Sequence, residues 1–178
     1  MPSFTLQELS LPGVFLIVPD MHFDERGFSV NVYNDALRIS LKTNVSFVED
    51  FTSYSKKDVI RGLHFQRPPH AQDKLVRCAK GRIFDVAADC DPNSPTYGRY
   101  VSAQLTGAEQ SMLFIPGKYA HGFCVMSDDA TVEYKLSDTY HPAFVEGARF
   151  DDTALGIDWP VTNPLISEQD ASWPPLRI

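Results

Sequence analysis

Short segments of alternating or continuous apolar residues, separated by turn signals, follow one another along most of the chain. Nine such segments are predicted strands: residues 13–19, 45–51, 59–66, 74–79, 82–89, 100–105, 111–115, 121–126 and 131–136. Thirteen prolines punctuate the pattern, and residues 34–41 are the best helix candidate, with an asparagine or aspartate cap. Many short strands with little helix predict a sandwich or a barrel.

Composition limits the protein class and the partners. The 178 residues are enough for one well-cored domain, which we expect to span residues 1–178. The net charge of −7 argues against a nucleic-acid partner, and no segment approaches membrane-spanning length. The scattered Cys78, Cys90 and Cys124 fit a reduced compartment. Because the N-terminus also lacks signal-peptide features, we expect a cytoplasmic protein.

The most informative stretch is residues 61–66, Arg-Gly-Leu-His-Phe-Gln, followed by a Pro-Pro turn. On a regular strand Arg61 and Leu63 face one side, and Gly62, His64 and Gln66 face the other. A glycine beside a histidine on one face predicts the open space that a substrate pocket needs. A core histidine next to a barrel glycine explains the same residues, so both interpretations stand at this point.

This stretch, continued by Gln-Asp-Lys-Leu-Val at residues 72–76, resembles the signature of the nucleotide-sugar 3,5-epimerases, including the dTDP-4-dehydrorhamnose 3,5-epimerases. The resemblance extends from Arg26 to Asp170. It implies an all-β fold, a cupin-type jelly roll (double-stranded β-helix) with short peripheral helices, assembled as a homodimer. It also implies inversion of C3, C5 or both in a nucleotide-activated 4-keto-6-deoxyhexose through an enolate, without a cofactor.

The resemblance assigns four catalytic residues, and each suits its chemistry. His64 is the base that removes a proton from carbon, and Asp170 is the carboxylate that orients its ring. Lys74 stabilises the negative charge that develops on the sugar 4-keto oxygen. Tyr134 is the acid on the opposite face, because a phenol with an ordinary pKa of about 10 keeps its proton at neutral pH.

The resemblance also implies a set of substrate-binding residues. Arg26 and Arg61 are expected to bind the diphosphate, His121 to line the sugar pocket, and Tyr140 to stack on the nucleobase. The full predicted set is Arg26, Asn31, Glu49, Arg61, Gln66, His121, Tyr140 and Glu146.

Three departures from the family pattern leave the nucleobase open. Residues 49–51 read Glu-Asp-Phe where many members have Gln-Asp-Asn, Asn31 replaces a usual glutamate, and Gln169 replaces a usual lysine. A carboxylate at Glu49 only accepts hydrogen bonds, whereas an amide also donates them. Thymine N3–H and donors on guanine or cytosine all remain compatible.

Other functions remain as alternatives. One is a single-centre epimerase, or a 3,4-ketoisomerase, that acts on a CDP- or GDP-linked 4-keto sugar. Another is a metal-dependent cupin oxygenase, for which His64, His70 and His121 are the candidate ligands. Because Gln66 occupies a position where metal-binding cupins have a histidine, we expect no catalytic metal. A third is a sugar-nucleotide binding module, which needs no acid opposite a base.

Overall fold

Two antiparallel sheets form the body of the protein in the computed structural model, which describes residues 4–41, 43 and 45–176. The elements, in chain order, are β1 (Phe4–Glu8), β2 (Phe15–Pro19), β3 (Met21–Asp24), β4 (Gly27–Val30), α1 (Asp35–Ser40), β5 (Glu49–Lys56), β6 (Ile60–Gln66), β7 (Lys74–Lys80), β8 (Arg82–Ala88), β9 (Tyr100–Thr106), β10 (Met112–Ile115), β11 (Ala120–Val125), β12 (Asp129–Leu136), a 3-10 turn (Pro142–Phe144), β13 (Val145–Gly147) and α2 (Glu168–Ala171).

The strand order defines two sheets that face each other. One sheet runs β1-β2-β10-β7-β12-β5, the other runs β13-β6-β11-β8-β9, and β3 and β4 form a separate hairpin. The largest apolar cluster lies between the sheets, since it contains Val76 and Val132 from the first together with Ile83 and Phe123 from the second. The predicted all-β jelly roll with short peripheral helices is therefore confirmed.

Most predicted elements are present with small shifts at their ends. Asn34 caps α1, and its Oδ1 accepts a hydrogen bond from the Leu37 N–H at 3.0 Å. The strand predicted at residues 45–51 begins later, at Glu49. Strands β1, β3, β4 and β13 were not predicted, because they are short or flank polar turns. Within the described residues no helix is long and apolar enough to cross a membrane.

A bulge in β6 overturns the predicted alternation of its side chains. His64 pairs with His121 and Arg61 pairs with Phe123, so three steps along β6 match two along β11. Because residues 121 and 123 share a face, Arg61 and His64 also point to one side of the sheet, not to opposite sides as predicted. The extra residue in the bulge shifts the alternation of side chains between the two faces of β6 by one position.

Gly62, inside this bulge, does not provide the open space that the sequence suggested. Its φ is +108°, and a Cβ built there would lie 2.4 Å from the carbonyl oxygen of His121 and 2.7 Å from the Cα of Gly122. The residue is glycine because the backbone of β11 approaches too closely for any side chain.

Candidate active site

A cavity of about 460 Å³ lies between the two sheets, which is within the usual range for small-molecule sites. Of the residues predicted from the sequence, those that line it are Glu49, Arg61, His64, Gln66, Lys74, His121, Tyr134 and Tyr140. The structure thus brings together three of the four predicted catalytic side chains and five of the predicted binding residues.

The predicted base and acid come from different sheets. His64 lies on β6 of the five-stranded sheet, whereas Lys74 and Tyr134 lie on β7 and β12 of the six-stranded sheet. The His121 ring, next to His64 on β11, meets the Tyr134 ring edge-on with centroids 5.8 Å apart. A molecule in the cavity therefore has the imidazole on one wall and the ammonium and phenol groups on the other.

His64 is held as a neutral imidazole. Burial lowers its pKa to about 4, and the charges of Lys74 and His121 act in the same direction, while the negative charge of Asp170 opposes them. A neutral ring at pH 7 has a nitrogen lone pair available to accept a proton.

Asp170 is buried next to the histidine strand rather than in the cavity wall. It lies in α2, whose N-terminus is capped by Ser167, and its Oδ2 accepts a hydrogen bond from the Gly62 N–H at 3.1 Å. Its charge raises the pKa of His64. The carboxylate is thus an electrostatic partner of His64, and the expected direct bond to the ring stays a prediction.

Lys74 opens β7 with a buried side chain. Its ammonium group donates a hydrogen bond to the Gln72 carbonyl oxygen at 3.3 Å. Burial lowers the pKa of Lys74 to about 8, with the nearby Asp73 charge opposing this effect. An ammonium in such a site interacts strongly with a developing oxyanion, because little water screens it.

Tyr134 has a phenol that stays protonated over the whole physiological range. Burial raises its pKa, and the Asp85 carboxylate adds to the increase. Its ring also packs against Phe51, with centroids 5.5 Å apart. The side chain is therefore held as a proton donor.

Sequence analysis missed Asp85, which supports His121. The His121 Nε2 lies 2.7 Å from Asp85 Oδ1, and both side chains are almost fully buried. Burial raises the pKa of Asp85, while the histidine lowers it. The available signal was a lone carboxylate within the apolar run Ile-Phe-Asp-Val-Ala-Ala at residues 83–88, because such a charge needs a buried partner.

Gln66 acts as a brace for two loops as well as a wall of the cavity. Its amide nitrogen donates hydrogen bonds to the carbonyl oxygens of His70 (2.8 Å) and Thr139 (3.1 Å), and its amide oxygen accepts one from the His141 N–H (2.6 Å). The amide at this position thus has a structural use that a metal-binding histidine would not meet.

Three predicted binding residues do not line this cavity. Arg26 is 84% exposed on the β3–β4 hairpin and pairs with Asp24. Asn31 follows that hairpin and is exposed. Glu146, on β13, pairs with Arg67 at 2.7 Å. Their contacts with a substrate stay predictions.

The candidate ligands for a catalytic metal do not assemble. His64 and His121 line the cavity, but His70 does not. Among the described residues, His70 groups with Asp138 and His141 instead. The oxygenase alternative thereby loses the ligand set on which it depended.

Comparisons with known proteins show which family the chain is similar to. Residues 8–177 match the family described as dTDP-4-dehydrorhamnose 3,5-epimerase. An enzyme of that name from Methanothermobacter thermautotrophicus is 43% identical over 180 residues, covering 99% of this chain and 97% of the relative. Another from Escherichia coli is 46% identical over 157 residues, covering 88% of this chain and 85% of the relative.

A solved structure extends the similarity to three dimensions. The crystal structure of dTDP-6-deoxy-D-glucose-3,5-epimerase from Legionella pneumophila, in complex with dTDP-4-keto-L-rhamnose, superimposes with a TM-score of 0.93 at 35% identity. The match covers 98% of this chain and 93% of that chain. By sequence and by structure, the chain belongs to the dTDP-4-dehydrorhamnose 3,5-epimerase family.

Proposed function

We propose that the chain inverts C3 and C5 of a dTDP-linked 4-keto-6-deoxyhexose, converting dTDP-4-dehydro-6-deoxy-D-glucose to dTDP-4-dehydro-L-rhamnose. The observation that carries the proposal is the placement of His64 on one sheet, opposite Lys74 and Tyr134 on the other. Inversion of a carbon requires removal of a proton from one face and delivery to the other, and this cavity offers one group to each face.

The chemistry follows from the three side chains. Neutral His64 removes a proton from the carbon next to the ketone. The C–H electron pair forms a C=C bond to C4, and the carbonyl π electrons move onto O4 to give the enolate. The charge on O4 is stabilised by the ammonium group of Lys74. Tyr134 then gives its proton to the opposite face of the carbon. Exchange with solvent returns a proton to the phenolate and removes one from the imidazolium, so that both groups are reset.

The nucleotide end of the substrate fits the outer part of the cavity. The Arg61 side chain is fixed by hydrogen bonds to Ser55 Oγ (2.9 Å) and the Tyr54 carbonyl oxygen (3.3 Å), and it supplies a cation for the diphosphate. Tyr140 is 61% exposed and lines the cavity, so its ring is available to stack on a base. Glu49 lines the same region and supplies an acceptor.

A homodimer is part of the proposal. Phe23 and Phe28, on the β3–β4 hairpin, are 73% and 49% exposed with ring centroids 6.0 Å apart. An exposed aromatic pair of this kind is typical of a surface that a partner covers. Sedimentation velocity of the protein, compared with a Phe23→Ser, Phe28→Ser variant, tests the dimer; we expect the variant to sediment as a monomer.

Solvent deuterium exchange, followed by NMR of the sugar, tests the assignment of base and acid. We expect His64→Ala to abolish deuterium incorporation at C3 and C5, and Tyr134→Phe to retain some exchange while the inverted product falls. Gln104→Ala, at an exposed site of β9 that lies outside the cavity lining and the β3–β4 hairpin, is the control and should exchange at the wild-type rate.

Normal exchange in folded His64→Ala would refute this residue as the base, and an unchanged yield of inverted product in Tyr134→Phe would refute the acid. Deuterium at only one carbon in the wild-type product would identify a single-centre epimerase. A thermal-shift screen of dTDP-, CDP-, GDP- and UDP-sugars identifies the nucleobase, with dTDP expected to give the largest shift.

A further inference from the structure

Two histidines and an aspartate meet at the outer edge of the cavity and take no part in the chemistry described above. His70 Nδ1 lies 3.0 Å from one carboxylate oxygen of Asp138, and His141 Nε2 lies 3.8 Å from the other. The two imidazole rings stack with centroids 3.6 Å apart. One donor atom from each residue can be chosen so that all three lie within 4.8 Å of one another.

This spacing is close to what a first-row transition metal requires. Zinc binds histidine nitrogen and carboxylate oxygen at about 2.0–2.2 Å in tetrahedral geometry, which sets neighbouring donors roughly 3.3 Å apart. The two nitrogen-to-carboxylate distances, 3.0 and 3.8 Å, lie on either side of that value. These two distances involve different oxygens of Asp138, and His141 Nε2 also lies 3.2 Å from Thr139 Oγ1. Because the three donors already lie within 4.8 Å of one another, rotation of the Asp138 carboxylate and the His141 ring would bring them to one ion.

Two buried glutamines hold the backbone of the cluster residues in place through hydrogen bonds. Gln66 bonds to the main chain of both His70 and His141. Gln72 donates from its amide nitrogen to the Asp138 carbonyl oxygen at 2.6 Å. Preorganised ligands of this kind lose little conformational freedom when a metal binds.

The exposure of the three side chains and the type of their donor atoms indicate which metal ion the cluster would bind. The side chains of His70, Asp138 and His141 are 28%, 32% and 35% exposed, so the donors are reachable from solvent while their backbone is held. Two imidazoles and one carboxylate favour Zn²⁺, Co²⁺ or Ni²⁺ over Mg²⁺ and Ca²⁺, which prefer oxygen ligands. Three protein donors leave a fourth coordination position for water.

We propose that His70, Asp138 and His141 form a binding site for a divalent transition metal at the rim of the cavity, separate from the catalytic groups. The ion would tie the turn after β6 to the segment after β12. That segment also carries Tyr140, which lines the cavity. The site is independent of the proposed epimerase activity, because none of its three ligands lines the cavity.

Titration of the metal-free protein with zinc chloride alone, by calorimetry, tests the site. We expect one Zn²⁺ per chain in the wild type. His70→Gln, Asp138→Asn and His141→Gln each remove one ligand. Each should weaken zinc binding by at least roughly 10–100-fold, which is the loss caused by removing a residue that only supports a ligand. Circular dichroism and thermal melts establish that each variant is folded, and His141, the most exposed of the three side chains, gives the mildest change.

Controls separate this site from other histidines of the chain. His22→Gln removes an exposed histidine outside the cluster and should bind zinc as the wild type does. Cobalt chloride should give visible absorption bands of four-coordinate Co²⁺ that are lost in His141→Gln, and Mg²⁺ in excess should not displace the zinc. Equal binding by His141→Gln and wild type would overturn the proposal. So would loss of zinc on addition of dTDP, because the ion would then lie in the cavity.

Discussion

Replacement of Lys74 by methionine should make the protein more stable at pH 7 while abolishing turnover. Its pKa falls from 10.5 to about 8 in the folded protein, mainly because the ammonium group is buried. At about 1.36 kcal/mol per pKa unit, this difference corresponds to roughly 3 kcal/mol lost from the free energy of unfolding at pH 7. Methionine has a similar length and no charge, but it leaves the Gln72 carbonyl without its donor, at a cost of about 1 kcal/mol. The expected net gain is about 2 kcal/mol.

The pH dependence identifies the cause of that gain. Between pH 8 and 10.5 the unfolded chain holds a proton on Lys74 that the folded chain has lost, so the wild-type free energy of unfolding rises with pH through this window. Below pH 8 both states are protonated and the penalty is complete. The gain in Lys74→Met over wild type should therefore be largest at pH 7 and should reverse above pH 10.5, where only the lost hydrogen bond to Gln72, about 1 kcal/mol, remains.

Urea unfolding of both proteins at pH 7, 9 and 10.5, at one protomer concentration, measures this difference. Other lysines and tyrosines titrate equally in the two proteins and cancel. Lys80→Met is the control, because Lys80 lies at the other end of β7, is 67% exposed and pairs with Asp129; a surface change of this kind should stay within about 0.5 kcal/mol. A variant no more stable than wild type at pH 7, or a gain that persists unchanged at pH 10.5, would refute the argument.

The kcat/KM for exchange should be flat near neutrality and fall above about pH 8, since Lys74 then loses the charge that stabilises the enolate; a flat profile to pH 9.5 would contradict this role. Gln66→Leu leaves three backbone groups unpaired and should lower the free energy of unfolding by at least about 2 kcal/mol, whereas Gln104→Leu, at an exposed site of β9, should change it by less than about 0.5 kcal/mol. Gly62→Ala and Gly27→Ala both place a Cβ on a backbone of positive φ, but only the Cβ at residue 62 meets other backbone atoms, at 2.4 Å. Urea unfolding should therefore show a larger loss in the free energy of unfolding for Gly62→Ala than for Gly27→Ala. Equal losses would show that the close contact at residue 62 does not destabilise the fold.

The sequence was sufficient for the fold class, and the resemblance was sufficient to name several side chains that line one cavity. Period-two patterns located most strands, because each strand of a sandwich has one face in the core and one outside. His64, Lys74 and Tyr134 could be named in advance because the resemblance carries them on recognisable motifs, and the structure places all three at one cavity.

Features that depend on pairing between distant strands could not be predicted. The bulge that turns Arg61 to the same side as His64 exists only through the register between β6 and β11. The partner of Asp85 is His121, 36 residues away in the sequence, and local sequence patterns do not encode that contact. Gln66 likewise bonds to Thr139, 73 residues later, so its bracing role is visible only after folding.

The placement of the proposed base and acid on two sheets also explains how the fold keeps them at a fixed separation. Strands β6 and β12 belong to facing sheets, which pack about 10 Å apart because apolar side chains fill the space between them. Val132, two residues before Tyr134, is fully buried in that core, so the wall that carries the acid is held by the same packing that stabilises the fold. A base and an acid on loops would move independently, whereas these two can change their separation only if the sheets do. The buried charge of Lys74 opposes folding, and the proposed mechanism gives the reason to keep it, since an ammonium group in this position stabilises the enolate oxygen.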